Sequence, residues 1–283
     1  MAALPLSPPV FSILSGLIEA RAGLHYAPAD QGLLAEKVSE RALEAGFDSL
    51  LDYYYFLRYD PAGPAALDAL IESLTVHETY FFREHEQLRA LVDGVLAPRL
   101  RQGQSLRVWS AACSTGEEPL TLAMMLAERG FPPGGGPAAP KLELVASDIS
   151  QRVLERAQQG EFNRRSLRAL PPGVDGRFLD VAPGGERASV RPELREAVRW
   201  KRVNLVDAAQ VAALGTFDVI LCRNVMIYFS DETARRVVES LTQALRPGGH
   251  LLVGTSESLL RFGTQLQCEE KGGAFFYTKG ATP

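Results

Sequence analysis

Residues 106–126 read Leu-Arg-Val-Trp-Ser-Ala-Ala-Cys-Ser-Thr-Gly-Glu-Glu-Pro-Leu-Thr-Leu-Ala-Met-Met-Leu. A short apolar strand over 106–111 runs into a loop of small residues, and a helix over 117–129 then opens on two carboxylates. That is the nucleotide-cofactor turn of a βαβ unit. The loop lacks the G-x-G-x-x-G spacing that brings backbone close to a pyrophosphate. An acidic helix start repels phosphate and welcomes an ammonium group. A cofactor with an adenosine, no phosphates and a free amino group fits that chemistry, and S-adenosylmethionine is such a molecule.

Outward from this stretch the pattern alternates. Strand 142–147 leads to helix 150–159, strand 217–222 leads to helix 231–245, and strand 250–255 follows. Such alternation predicts a Rossmann-like α/β domain, a mostly parallel sheet with helices on both faces. Arg246-Pro247-Gly248-Gly249 ends the last helix sharply, and the closing Ala274–Thr278 run predicts a strand pairing antiparallel at the edge. Two segments interrupt the alternation. Phe131–Pro140 reads as a Gly/Pro surface loop. Within 161–203, Arg177–Val181, Arg187–Arg191 and Val198–Val203 read as short strands, parted by Pro183-Gly184-Gly185 and a Pro192–Glu196 turn. They predict a small antiparallel sheet inserted into the parallel one, either a partner-binding surface or decoration. Upstream, residues 10–100 are helical throughout. Apolar residues recur at helical spacing, with Gly23 at a C-cap position and Asp30 and Asp48 before new helices. The division expected is a helical domain over 1–100 and an α/β domain over 101–283, with an inserted β-subdomain at about 161–203.

A chain of 283 residues holds one large α/β domain and a smaller one. Its net charge of −4 argues against broad binding to a phosphate backbone, and so against nucleic acid. Cys113, Cys222 and Cys268 are far apart with no C-x-x-C, so neither a disulfide framework nor a zinc site is expected. The N-terminus carries Pro8-Pro9 and no early Lys or Arg, unlike a signal peptide. No apolar run reaches membrane-spanning length. A cytoplasmic monomer without a metal and without membrane insertion is the expectation. The final Thr278–Pro283 is either a natural terminus or a cut before further domains.

Several residues stand where ligand chemistry belongs. Asp148 ends a strand where a carboxylate accepts hydrogen bonds from ribose hydroxyls. It also stands near a helix start, but Ser150 can cap that helix and leave Asp148 to the cofactor. Glu117 and Glu118 either complement the helix dipole, an effect of about half a kcal/mol, or present a carboxylate to an ammonium; periodicity does not choose. Asn204-Leu205 lies in the loop that covers an adenine in this fold class, or is a turn. Arg223-Asn224 closes the apolar strand 217–222, at the strand end where open α/β sheets bind ligands, and packing does not explain it. Tyr228, between Ile227 and Phe229, is either core or a polar handle. Thr75–Arg83 carries three consecutive aromatics followed by an Arg, a hydrophobic hinge that no residue-level rule makes catalytic.

Together, Thr79-Tyr80-Phe81-Phe82-Arg83, Ser110–Pro119, Ala146-Ser147-Asp148-Ile149 and Cys222-Arg223-Asn224-Val225-Met226-Ile227-Tyr228-Phe229 closely resemble the CheR-type chemotaxis receptor methyltransferases. The resemblance spans nearly the whole chain. It implies S-adenosylmethionine-dependent methylation of glutamate side chains on the cytoplasmic signalling domain of bacterial chemoreceptors, giving methyl esters and S-adenosylhomocysteine. Carried over by motif, His77, Thr79, Arg83 and Ala112 lie at the cofactor pocket and Glu117 holds the methionine amino group. Asp148 then holds the ribose, Asn204 and Leu205 flank the adenine, Arg223 and Asn224 complete the site, and Arg83 and Tyr228 orient the incoming glutamate. In some members the inserted sheet docks a receptor C-terminal peptide. The chain departs from the family at His77, where Asn is usual; an imidazole still makes one hydrogen bond but is bulkier and can charge. It departs again in its second helix, where Glu36-Lys37-Val38-Ser39-Glu40-Arg41 interleaves acids with the basic face used for docking. Either the target is less acidic or docking leans on Arg89, Arg99 and Arg101. Two other readings are a methyltransferase for RNA or a metabolite, and a signalling module that binds the cofactor without turnover. The acidic balance opposes RNA, and retention of Arg83 and Tyr228 opposes a pure binder.

Overall fold

Apolar residues three and four apart give the N-terminal region its helices, because each helix buries one stripe. The computed structural model describes residues 3–132, 141–174 and 176–280; of the Phe131–Pro140 loop expected from sequence, 133–140 lie outside the described residues. Helix α1 (Pro8–Ala22) has proline in its first turn, buries Phe11, Leu14, Ile18 and Ala22, and ends on Gly23 at φ 77°. Helix α2 (Gln31–Glu44) buries Leu34, Val38 and Ala42. Helix α3 (Leu50–Tyr59) starts at Ser49, whose Oγ accepts from the Asp52 N–H, and α4 (Gly63–Leu74) buries Leu67, Leu70, Ile71 and Leu74. These helices, with residues 228–234, make one unit; residues 77–227 and 235–283 make the other.

The second unit opens with α5 (His85–Leu91), a π-helical turn (Val92–Leu96) and α6 (Ala97–Arg101). The elements β1 (Leu106–Ala111), α7 (Glu117–Glu128), β2 (Leu142–Asp148), α8 (Gln151–Gln159), β3 (Glu161–Asn163) and α9 (Arg164–Leu167) follow. Next come β4 (Leu179–Val181), β5 (Arg187–Val190), α10 (Pro192–Glu196), β6 (Val198–Arg202) and α11 (Ala208–Ala213). Strand β7 (Phe217–Cys222), α12 (Asp231–Ala244), β8 (Leu245–Leu252), β9 (Gln267–Lys271) and β10 (Ala274–Thr278) complete the chain. The sequence reading counts residues 77–100 with the helical domain. The fold groups them with the sheet, because Phe81, Leu88, Leu91, Val92 and Leu96 share one core with Leu106, Val108, Val219 and Leu221.

Seven strands form one sheet in the order β6-β2-β1-β7-β8-β10-β9. The first five are parallel, and β10 and β9 close the sheet antiparallel. Chain order reverses direction on either side of β1, so the carboxyl ends of β1, β2 and β7 surround the crevice in which open α/β sheets take ligands. The α/β architecture is therefore the expected one, with three corrections of detail. Val198–Arg202 does not join the inserted sheet; it pairs parallel with β2 from Leu144↔Val198 to Asp148↔Arg202. Its place in the small antiparallel sheet, ordered β3-β5-β4, is taken by Glu161–Asn163. The short length of that segment hid it, and the buried Val198 that looked like an alternating strand faces the main core. Strand β10 is antiparallel as expected, but β9 lies outside it at the edge. The strand expected over 250–255 ends at Leu252, because Gly254–Glu257 forms a turn closed by Glu257 N–H on Gly254 O (2.9 Å).

At the amino ends of β1 and β7 a buried carboxylate ties strands and helix together. Asp218 accepts from Arg107 N–H (2.8 Å), Arg246 Nη1 (2.7 Å) and Arg99 Nη2 (3.1 Å). Removing a partner from a buried ion pair leaves charge without its counterpart. Both arginines keep partial access to water, which limits the penalty. Asp218→Ala is expected to lower the unfolding free energy by about 2–3 kcal/mol, read from urea denaturation. A wild-type midpoint would show that the two arginines hold this end unaided.

Candidate functional site

Three loops leave the carboxyl ends of adjacent strands, and Asp148 joins them. Its Oδ2 accepts from Ser114 N–H (2.9 Å) in the β1–α7 loop, and Oδ1 accepts from Ser150 N–H (3.0 Å). Its carbonyl accepts from Val203 N–H (3.0 Å), which brings the 203–205 loop alongside. Ser150 Oγ caps α8 by accepting from Val153 N–H (3.3 Å), as expected. Burial raises the Asp148 carboxyl above its ordinary range, opposed by the Ser150 and Ser114 N–H groups and by the charge of His77. His77 is thus close enough to act on Asp148 electrostatically. Ala112 stands in the same loop at φ 56° and is partly exposed.

Glu117 opens α7 but points inward, with 1% of its surface exposed. Thr115 Oγ1 (2.6 Å) and Ser166 Oγ (2.7 Å) donate to its two oxygens. Burial raises its carboxyl, the two hydroxyls pulling the other way. Among the described residues Glu117 has no ion-pair partner, so the dipole explanation of this acid accounts for position and not for burial. Glu118, one residue on, serves a different purpose: it accepts from Ser110 Oγ (2.6 Å) and pairs with Arg223 Nη1 (2.7 Å). Gly116 permits the turn into α7. At φ 93°, a Cβ there would stand 2.8 Å from both Ala157 Cβ and Trp200 Cη2.

Arg223 is the knot of the site. Its side chain is 1% exposed, and its guanidinium reaches Glu118, Glu84 Oε2 (3.1 Å) and the Arg83 carbonyl (2.9 Å). One buried cation thereby fastens the loop after β7, the start of α7 and the segment around Arg83. Burial pushes the Glu84 carboxyl up, but the Arg223 charge and bonds from Asn224 and the Thr255 N–H bring it below the ordinary range. The 79–83 segment is held from its other side as well: Phe81 N–H donates to Ser166 O (2.9 Å) and Phe82 N–H to Thr121 Oγ1 (3.1 Å). Among the described residues, the non-glycine positive-φ positions are Phe82, Glu84, Ala112, Ser114 and Asn224. All of them lie in these same segments, and each costs about 1–3 kcal/mol that the surrounding bonds must offset.

The structure places the other expected residues as follows. Thr79 and Arg83 are partly exposed; Arg83 Nη1 donates to Glu78 O (2.8 Å). Asn204 is in a turn, its Oδ1 accepting from Val206 N–H (3.3 Å), and Leu205 is buried. Asn224 Nδ2 donates to Glu84 Oε1 (3.2 Å). Tyr228 groups with the helical unit, its carbonyl accepting from His25 N–H (2.8 Å). Of the docking arginines, Arg99 is tied to Asp218 and Arg89 to Glu86. The sequence reading missed Ser166, Glu84 and Glu257. The first sits in a four-residue helix without any signal. The other two had one: acids directly after Arg83 and after a strand end. A cavity of about 530 Å³ is lined by Glu84, Glu257, Gln87, Val253 and Phe275 among others.

The chain is similar to known methyltransferases. The family model for the CheR methyltransferase all-alpha domain matches residues 9–75, and that for the CheR methyltransferase SAM binding domain matches 77–273. A chemotaxis protein methyltransferase 2 of Vibrio cholerae serotype O1 is 37% identical over 248 residues, 85% of this chain and 82% of that protein. Chemotaxis protein methyltransferases of Klebsiella aerogenes (37% identical, 90% of this chain, 85% of that one) and Escherichia coli (36%, 90% and 86%) are similar in the same way. With both family domains in their order along one chain, this protein belongs to the CheR methyltransferase family.

Proposed function

We propose that this protein transfers the methyl group of S-adenosylmethionine to glutamate side chains of a bacterial chemoreceptor. The observation that carries the reading is the contrast between two neighbouring arginines. Arg223 is buried, and both of its terminal nitrogens are engaged, by Glu118, Glu84 and a carbonyl. Arg83 is partly exposed, holds one backbone carbonyl, and has no ion-pair partner among the described residues. Its guanidinium fork is therefore open to a substrate carboxylate.

The residues present fit the cofactor. Glu117, buried and with no ion-pair partner among the described residues, suits an ammonium; Asp148 at a strand end suits ribose hydroxyls; carboxylates at both places disfavour a phosphate. Ser114 Oγ is buried without a hydrogen-bond partner among the described residues, a polar group that a ligand would satisfy. His77, Thr79, Ala112, Asn204 and Leu205 complete the proposed cofactor set, and Asn224 borders it. When bound, S-adenosylmethionine supplies an electrophilic sulfonium methyl and leaves as a neutral thioether. The chain's own work is positional. A glutamate is already ionised at neutral pH, so no residue need remove a proton. Arg83 orients the carboxylate for in-line approach, with Tyr228 proposed as its partner in that task. Methylation removes the carboxylate charge, so the ester loses the Arg83 interaction and is released more readily than substrate is bound.

Incubation with cofactor labelled in the methyl group and receptor cytoplasmic fragments is expected to give base-labile methyl esters. Arg83→Ala is expected to reduce transfer at least about a thousandfold, the scale of losing a positioned charge contact in the reaction, while cofactor binding persists. Base-stable label, or near-normal transfer by the variant, would overturn the assignment.

The raised Glu117 carboxyl fixes the sign of a pH effect. Protonated, it has no charge for an ammonium, so cofactor affinity is full above its raised range and falls as pH drops through it. Folding responds in the opposite direction: a carboxyl raised by burial contributes most below its unfolded pKa and loses that contribution as pH rises through its folded one. Glu117→Gln is expected to weaken cofactor binding about tenfold or more and to flatten this pH dependence. The ligand-free variant should melt no lower than wild type at neutral pH. Calorimetry and thermal melts across pH read both. Unchanged affinity would remove Glu117 from the cofactor site.

The three-stranded sheet β3-β5-β4 has β3 and β4 as its outer strands, and a sheet edge is where an extended peptide adds as a further strand. Titrating receptor C-terminal peptides calorimetrically is expected to find one that binds this sheet. If every peptide that binds does so equally well after deletion of the peptide-facing strand β4 residues' side chains to alanine, docking lies elsewhere.

A further inference from the structure

Glu257 lies in the turn after β8, and its side chain doubles back toward the loop after β7. Its carboxylate accepts four backbone N–H groups. Oε2 takes Asn224 (2.6 Å) and Gly254 (2.7 Å), and Oε1 takes Val225 (3.0 Å) and Met226 (2.8 Å). Consecutive amides converging on one anion form a nest, and here the anion is a side chain of the protein itself. The nest exists because Asn224 adopts φ 58°, a conformation that a non-glycine residue keeps only when its surroundings hold it there. Glu84 holds it too, accepting from Asn224 Nδ2 (3.2 Å) with one oxygen and from Thr255 N–H (3.0 Å) with the other. The two loops approach so closely at Gly254 that a Cβ there would stand 2.6 Å from Asn224 Nδ2 and 2.8 Å from Glu257 Oε2.

We propose that Glu257 is a positioning residue: by binding the amides of Asn224, Val225 and Met226 it sets the loop from which Arg223 reaches the Arg83 carbonyl. The chain of contacts is continuous, from Glu257 to the 224–226 amides, through Arg223, to the backbone of Arg83. Neither Glu117 nor Asp148 touches it. The carboxylate is needed for its acceptors and charge, since four N–H donors leave no place for a donor in return. An amide in its place would turn an NH₂ group toward two of those N–H groups. The inference rests on the methyl-transfer reading for its effect on rate, but not for the clamp itself.

The test uses the full chain with Glu257→Gln and Glu257→Asp. Hydrogen exchange at Asn224, Val225 and Met226 is expected to quicken at least tenfold in Glu257→Gln, whatever the protein's activity. With receptor fragments, the kcat of that variant is expected to fall about ten- to a hundredfold while its affinity for S-adenosylhomocysteine stays within about threefold. Glu257→Asp, which keeps the charge and loses volume, is expected to retain more kcat than the isosteric Gln; a packing role would reverse that order. Unchanged exchange in Glu257→Gln, wild-type kcat, a better Gln than Asp variant, or a loss of product-analogue binding in step with kcat would each overturn the proposal. Quickened exchange in Glu257→Gln, together with a wild type that methylates no receptor fragment, would leave the clamp standing and overturn the reading of the reaction.

Discussion

A guanidinium removed almost wholly from water must find its partners inside the protein, and Arg223 finds two carboxylates and a carbonyl on two other segments. Taking such a group out of water costs several kcal/mol unless its geometry is well matched. The matching is what organises this end of the sheet. Glu118 comes from the first turn of α7, Glu84 from the segment before α5, and the Arg83 carbonyl from the same segment one residue earlier. None of the three can move far without leaving charge or a buried donor unmet. The left-handed residues at Phe82, Glu84 and Asn224 are held in place by the same bonds.

This explains why two arginines one strand-loop apart have different chemistry. Arg223 is structural because its partners are already present. Arg83 contributes its carbonyl to that structure and keeps most of its guanidinium outside it. The carboxylates divide in the same manner. Glu118 neutralises Arg223, whereas Glu117, its neighbour, turns into the interior and meets only hydroxyls. In a helix, adjacent side chains point about 100° apart, so one turn carries both a carboxylate paired with Arg223 and one that accepts hydroxyls.

The inserted segment shows how far local pattern reaches. Its small antiparallel sheet was legible in the alternation of Arg187–Val190 and in the Pro183-Gly184-Gly185 break. Which strands belong to it was not. Val198–Arg202 alternates like an edge strand, yet it pairs with β2 because Val198 completes the core against Leu144. Glu161–Asn163 is too short to carry a periodic signal, and it becomes a strand only because Ser189 and its neighbours lie opposite. In the same way, Phe81 to Leu100 read as one more helical stretch of the N-terminal region. Its apolar face matches the sheet core, and that match, not helicity, decides its unit.

The sequence by itself determined the βαβ order and pointed to a turn and a kind of cofactor. These follow from local facts: apolar periodicity, the missing glycine spacing, and acids at a helix start. It also set Ser150 as the cap of α8, two residues after the strand end at Asp148. Tertiary structure alone decided which charges are free. Whether an arginine is scaffold or ligand depends on what stands opposite it, and Glu84, Glu118 and Arg223 are separated by up to 139 residues of chain. The role of Glu257 is of the same kind, because an acid beyond a strand end acquires four amide partners only when two loops are folded against each other.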